Sequence, residues 1–348
     1  MLRGAKTTIQ GVDSDKDFLY IWYMKHISIL VPRGAVALSC IEGSFIAFRQ
    51  INDFLALMGK PPLFKVQLVG LTNKAEVYDR LFSVYPDTTI SELDHTDLIV
   101  IPAVNGDMNQ VIEENKDFIP WINRQYMAGA ELASLCVGAF LLASTGLLSG
   151  RNCSTHWLAA NEFRKMFPEV NLVSDKIITD EHRIYSSGGA NSFWNMLLYI
   201  IEKYTDREMA ILASKYYAIE IDRESQSSFI MFKGQRDHQD ESVKKAQEFI
   251  ENNFQDKITV DQLSSMVAVG RRSLERRFKK ATCNTVSEYI QRVKIEAAKK
   301  SFETSRKNIN EIMWEVGYSD TKAFRSVFKK TTGLSPIEYR NKYNKEAV

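Results

Sequence analysis

From His26 to about residue 205 the apolar positions fall into two alternating patterns. Short apolar runs rich in β-branched residues, HISILVP (26–32), FKVQLVG (64–70), TDLIVIPA (96–103) and AELASLC (130–136), predict strands buried on both faces. Between them SFIAFRQINDFLALMG (44–59), KDFIPWINRQYMAG (116–129) and VGAFLLASTGLL (137–148) have helical spacing and end at Gly59, Gly129 and Gly146 or Gly150. Strands interleaved with helices predict an α/β fold, a parallel sheet flanked by helices. After Asp240 the strand pattern does not return, and only helical periods are present. The stretch 220–239, polar and aperiodic, predicts a linker between an α/β domain over 26–219 and an all-α domain over 240–348.

The all-α region contains one pattern twice, ITVDQLSSMVAVGRRSLERRFKKAT (258–282) and INEIMWEVGYSDTKAFRSVFKKTTG (309–333). In each, a short helix reaches a glycine, Gly270 or Gly317, and a second helix follows, pinned by Leu274 with Phe278 or by Phe324 with Phe328. Helix, glycine turn, helix is the helix-turn-helix plan, whose second helix enters the major groove of DNA. Residues four apart bury that helix against the first, so the positions between them face outward. These are Arg271, Arg272, Glu275, Arg276 and Lys279 in the first copy, and Thr321, Lys322, Arg325, Ser326 and Lys329 in the second. Arginine pairs with guanine O6 and N7 and glutamate accepts from cytosine N4, whereas lysines near the helix ends suit phosphates.

Charge sharpens this division. The chain of 348 residues has a formal net charge of only +2, but Asp240 onward carries +7 and residues 1–239 carry −5. A basic third beside an acidic body suits double-stranded DNA, whose phosphates exchange counterions for Lys and Arg. No run of ~18 apolar residues marks a membrane span, and the charged N-terminus lacks the apolar core of a signal peptide. Four scattered cysteines, Cys40, Cys136, Cys153 and Cys283, read as free thiols in a reducing compartment, so the expected location is the cytoplasm, with no membrane partner. Cys153 and His156 lack the second pair of a metal site, and neither a metal nor a cofactor is expected.

VGYSDTKAFRSVFKKTTGLSPIEYR (316–340) closely resembles the signature of the AraC/XylS family of transcription regulators, and the resemblance extends over about 240–344. It implies two helix-turn-helix units on a rigid connecting helix, here VSEYIQRVKIEAAKKSFETS (286–305), entering successive major-groove segments. The chain departs from the family pattern at Ser264 and Met313, where a small alanine is usual. It departs again at Cys283-Asn284, where a glycine usually ends the first recognition helix and where Asn is expected to take the left-handed turn.

The stretch 26 to about 215 resembles the DJ-1/PfpI, or class I glutamine amidotransferase-like, domain, a flavodoxin-like fold, through DLIVIPA, GAELASLCVGAFLLASTGLLSGRNCSTHW and IYSSGGA. The resemblance places Cys136 on a strand-to-helix elbow with His156 nearby, a nucleophile and base pair in family enzymes. Two features of those enzymes are absent: Pro102-Ala103-Val104 replaces their glycine-rich turn, and Ser39 stands where they carry a carboxylate, Glu42 replacing it only if the loop shifts. Lost donors and a lost acid predict a non-catalytic elbow, with Cys136 and His156 vestigial.

Together the two resemblances match the amidotransferase-like branch of AraC regulators, several of which sense small amines or amino acids. They imply a homodimer on promoter half-sites and RNA polymerase as a further partner. They also imply a small-molecule effector, of amino acid, amine or betaine class, bound around Ser39, Glu42, Asn105, Cys136, Val137 and His156. The alternatives are a cysteine-dependent hydrolase or amidase with an attached DNA-binding domain, and an architectural DNA binder without a ligand.

Overall fold

The computed structural model describes residues 24–344 except 79, 222–224 and 237. Residues 1–25 are expected as an N-terminal extension, and its aromatic positions Phe18, Tyr20, Trp22 and Tyr23 lie outside the described residues. The chain divides into two compact units, one reaching His156 and resuming over 166–224, the other comprising 157–165 and 225 onward. Among the described residues no helix is long and apolar enough to cross a membrane.

The first unit is built on a seven-stranded sheet of β1 (Lys25–Val31), β2 (Phe64–Gly70), β3 (Thr88–Thr89), β4 (Leu98–Ile101), β5 (Glu131–Leu135), β6 (Ile178–Glu181) and β7 (Ile184–Ser187). Their spatial order is β6-β7-β5-β4-β1-β2-β3, parallel throughout except that β6 runs against β7. The four central apolar runs are the four strands expected. β4 is wholly buried and β1 nearly so, as their unbroken apolar sequences require of strands covered on both faces. The β6–β7 hairpin was not expected, because ITDEHRIYSS mixes polar residues into both strands; the buried β7 uses Ser186 and Ser187 to bond Ser154, Thr179 and Ser134.

The helices of this unit are α1 (Leu38–Leu57), α2 (Met108–Glu114), α3 (Phe118–Met127), α4 (Ala139–Ala143), α6 (Phe193–Tyr204) and α7 (Arg207–Tyr216), while α5 (Ala160–Met166) belongs to the second unit apart from Met166. The helix expected over 44–59 begins at Leu38 instead, well over one turn earlier. Its buried stripe of Cys40, Ser44, Ala47, Phe48, Ile51 and Leu55 has the three-and-four spacing of an amphipathic helix from the first turn.

The second unit is helical: α8 (Glu241–Asn252), α9 (Val260–Met266), α10 (Arg271–Thr282), α11 (Val286–Thr304), α12 (Ile309–Glu315), α13 (Thr321–Thr332) and α14 (Pro336–Tyr343). It has two apolar clusters, one around Leu263, Leu274, Phe278 and Tyr289, the other around Ile312, Phe324, Phe328 and Tyr339, with α11 contributing to both. Residues 225–236, part of the stretch 220–239 expected as a linker, lie against these helices. The Phe232 N–H donates to Glu296 at 3.0 Å, Lys299 donates to the Ile230 carbonyl at 2.6 Å, and Gln247 donates to the Gln235 carbonyl at 3.0 Å. The Phe232 ring meets Tyr289 edge-on at 5.1 Å. Side chains of the helices satisfy the backbone of an irregular segment, an arrangement with no periodic signature.

Candidate functional site: an elbow at the strand ends and two exposed recognition helices

The carboxyl ends of β1, β4, β5 and β7 lie side by side, the edge where open α/β sheets bind ligands. The chain leaving β1 pairs with that leaving β4, Val36 with Val104 and Ala35 with Asn105. β5 ends in a 3-10 turn at Cys136–Gly138 that leads directly into α4. Cys136 adopts φ = 56°, a left-handed conformation rare outside glycine, so the elbow is a strained one. Gly138 lets it pass close beneath β4: a Cβ there would lie 2.5 Å from the Ile101 carbonyl and 2.7 Å from that of Pro102.

Cys136 is buried, and burial, with the neighbouring Cys40 thiol adding to it, pushes its pKa up to about 12. Cys40 is itself pushed up to about 11 by burial, against which its bonds to the Ala103 backbone and Ser39 act. No carboxylate contributes to the Cys136 shift. Ser39 and Glu42 are both exposed on α1, and the buried residues between them are Cys40 and Ile41. The loop shift that would bring Glu42 to the thiol has therefore not occurred.

The other expected members stand around the elbow in different ways. Val137 is half-buried beside Cys136, and Asn105 is exposed, donating to the Ala35 carbonyl at 3.4 Å. His156 is half-buried, and burial lowers its pKa below the ordinary imidazole value. The preceding residue, Thr155, donates to the Cys136 carbonyl at 3.0 Å, which ties the histidine's segment to the elbow. The Cys136 N–H donates to the Ser187 hydroxyl at 3.4 Å. Cys40, Thr155 and Ser187 were not read from the sequence as part of this site. Cys40 alone had a signal, the stripe that appears once α1 is extended back to Leu38.

In the second unit, α10 and α13 repeat one burial pattern. Leu274, Phe278 and Thr282 are buried on the first, Phe324, Phe328 and Thr332 on the second. Arg271, Arg272, Glu275, Arg276 and Lys279 are exposed as expected; so are Lys322, Arg325, Ser326 and Lys329, while Thr321 is half-buried. Arg277, between the outward positions, turns back to Asp240 at the start of α8, with contacts of 2.6 and 2.7 Å.

Both turns of the first copy differ from expectation. Its left-handed residue before the recognition helix is Ala268 at φ = 52°, not Gly270, which has φ = −58° and caps α10. After the helix the left-handed residue is Cys283 at φ = 56°, not Asn284. Asn284 is buried, donating to the Thr282 carbonyl at 2.6 Å, so its side chain closes the turn from the next position. In the second copy Gly317 and Gly333 take both left-handed positions, at φ = 72° and 76°. Ser264, a departure from the family pattern, donates to the Val269 carbonyl and closes the first turn, and Met313 is simply buried.

Comparison with known proteins follows this division. The DJ-1/PfpI family profile matches residues 61–203, and a helix-turn-helix domain profile matches residues 263–342. The chain is 26% identical over 268 residues to the HTH-type transcriptional regulator GbdR of Pseudomonas aeruginosa, covering 74% of this chain and 69% of that one. It is 27% identical over 215 residues to the HTH-type transcriptional regulator ArgR of the same species, covering 62% of this chain and 65% of the relative. A crystal structure titled as a putative transcriptional regulator protein from Vibrio parahaemolyticus shares the fold over 56% of this chain and 98% of its own, with a TM-score of 0.50 and 21% identity. The chain thus joins a DJ-1/PfpI-like region to an AraC-type helix-turn-helix region and is similar over both to these transcriptional regulators.

Proposed function

We propose that this regulator is ligand-responsive, works in the cytoplasm and binds promoter DNA as a homodimer. The observation that carries the reading is the duplicated recognition helix. α10 and α13 present cationic outward faces from one connecting helix in a region of net charge +7. Arg276 and Arg325 read base edges, and Lys279 and Lys329 hold phosphates and so set register. The carboxyl edge of the sheet, with Ser39, Glu42, Asn105, Cys136, Val137 and His156 around the elbow, takes a small polar effector of amino acid, amine or betaine class. The effector shifts activity by its difference in affinity between two states of the protein, typically ~1 to 3 kcal/mol of coupling. RNA polymerase is the partner through which bound regulator acts on transcription.

The DNA reading is tested by the affinity of the purified chain for its own promoter fragment against random DNA of equal length at physiological salt. A preference of tenfold or more is expected, and equal affinities, with or without cell extract, refute it. A thermal-shift screen of amino acids, amines and betaines addresses the effector, since a ligand of the native state raises its melting temperature by mass action.

The elbow conformation of Cys136 favours a second reading, a cysteine hydrolase, because family enzymes use it to expose a nucleophile. The protonated thiol opposes it. A folded-state pKa of about 12 keeps Cys136 neutral at pH 6 to 8, its thiolate growing only toward strongly alkaline pH. Iodoacetamide at pH 6 to 8 is therefore expected to label the exposed Cys283 well before Cys136. Rapid labelling of Cys136 at mildly acidic pH, with a hydrolytic activity lost in Cys136→Ala, would move the assignment to the hydrolase.

A further inference from the structure

The connecting helix α11 carries a lysine at the joint between the two helix-turn-helix halves. Lys294 is only 9% exposed. Its Nζ donates to the Gly317 carbonyl at 3.0 Å and lies 5.5 Å from the centre of the Tyr318 ring, both in the turn of the second half. Gly317 in turn presses against the first half: a Cβ there would stand 1.9 Å from the Gln255 carbonyl, just beyond α8, and 2.7 Å from Nζ itself. Asp256, the next residue, acts electrostatically on the same ammonium group, opposing the lowering of its pKa by burial. One buried cation therefore ties the axis helix to the turn before α13, and that turn at Gly317 packs against the loop after α8. A buried ammonium group tolerates few positions, because each donor lost is a solvation cost not recovered.

We infer that Lys294 is a positioning residue that fixes the offset between α10 and α13, and thereby the spacing of the two DNA segments the chain reads. It is buried, so it touches no base. This rests on the DNA-binding reading above. The two recognition helices insert productively only if their separation matches the distance between successive major-groove segments, one helical turn of about 34–36 Å or the equivalent along the duplex. Loosening the joint broadens the range of separations accepted and leaves the base preferences of each helix intact.

The test uses the full chain and the best-bound sequence selected by the wild type from random duplexes. Variants of that duplex carry one or two base pairs inserted or deleted between the two contacted segments, or single base changes within each. The wild type is expected to lose at least tenfold in affinity per insertion. Lys294→Met, of similar length but without a donor, is expected to lose less than threefold, with the ranking of single base changes unchanged. Lys294→Arg, which keeps a donor, is expected to retain the wild-type spacing penalty. Lys294→Leu, which also lacks a donor, serves the same purpose as Lys294→Met if the latter does not fold, judged by near-UV circular dichroism. A folded Lys294→Met or Lys294→Leu with the wild-type spacing profile overturns the inference, as does a uniform loss on all duplexes. Failure of the wild type to select any sequence would instead count against the DNA-binding reading itself.

Discussion

The two helix-turn-helix halves share one plan, and their turns are built from different residues. The second half places glycine at both left-handed positions, Gly317 and Gly333. The first places Ala268 and Cys283 there, at a cost of roughly 1–2 kcal/mol for each L-residue. Caps differ in the same direction: Asp320 accepts from the Ala323 N–H at the start of α13, while Gly270 brings no side chain to α10. So do the outward cations. Arg271 is bound to Asp261 at 3.0 Å and to Glu275 at 3.6 Å, whereas among the described residues Lys322 and Arg325 form no ion pair. The second half is therefore the less strained at its turns, and the first carries left-handed strain and holds Arg271 in internal pairs, leaving Arg272 and Arg276 exposed. A duplicated motif can keep its apolar skeleton while local stability and charge availability drift apart.

The largest expected effect comes from removing the second half's advantage. Gly317→Ala adds a Cβ 1.9 Å from the Gln255 carbonyl, in a backbone that cannot yield as a flexible side chain would, and at φ = 72°. Overpacking and the left-handed penalty together predict a loss of about 3 kcal/mol or more, seen as an early melting transition of the helical unit. A variant that melts with the wild type would show that the joint is softer than its geometry.

The DNA contacts should follow the same asymmetry. Arg325→Ala is expected to weaken specific binding by about 1–3 kcal/mol and to relax preference at one base position. Arg271→Ala is expected to cost less than about 1 kcal/mol, because its contact with DNA competes with exposed pairs of comparable worth. Gel-shift affinities of the two variants on one operator compare them directly, and equal losses would remove the distinction between the halves.

The smallest effect is a gain. Ala268→Gly and Cys283→Gly relieve left-handed strain in the first half, offset in part by the chain entropy that glycine adds to the unfolded state. About 0.5–1 kcal/mol of stabilisation each is expected, a rise of a few degrees in the melting temperature of the helical unit. No rise at either position would mean that these turns are held by compensating contacts, such as the Asn284 bond to the Thr282 carbonyl.

How much of this was legible varied with the kind of order. The central strands and the recognition helices were readable because burial on both faces, or on one face every three or four residues, writes itself into apolar spacing. The hairpin of β6 and β7 was not, since its core face is closed by serine and threonine hydroxyls. Residues 225–236, within the stretch expected as a linker, gave no signal because their order comes from hydrogen bonds donated and accepted by distant helices. At the elbow, the sequence located Cys136 and the missing acid. It did not show that Cys40 takes the inward position, because one residue of helix is a rotation of 100° and the start of α1 was placed too late.

The sequence by itself determined the two-domain plan, the outward faces of α10 and α13 and the absence of a carboxylate at Ser39, since these depend on residue type and local period. Only the tertiary structure decided which thiol faces Cys136, which residues bear the left-handed turns and which lysine binds the two halves together. Those outcomes depend on contacts between segments far apart in the chain, where the competition is among packed arrangements and local preference has little weight.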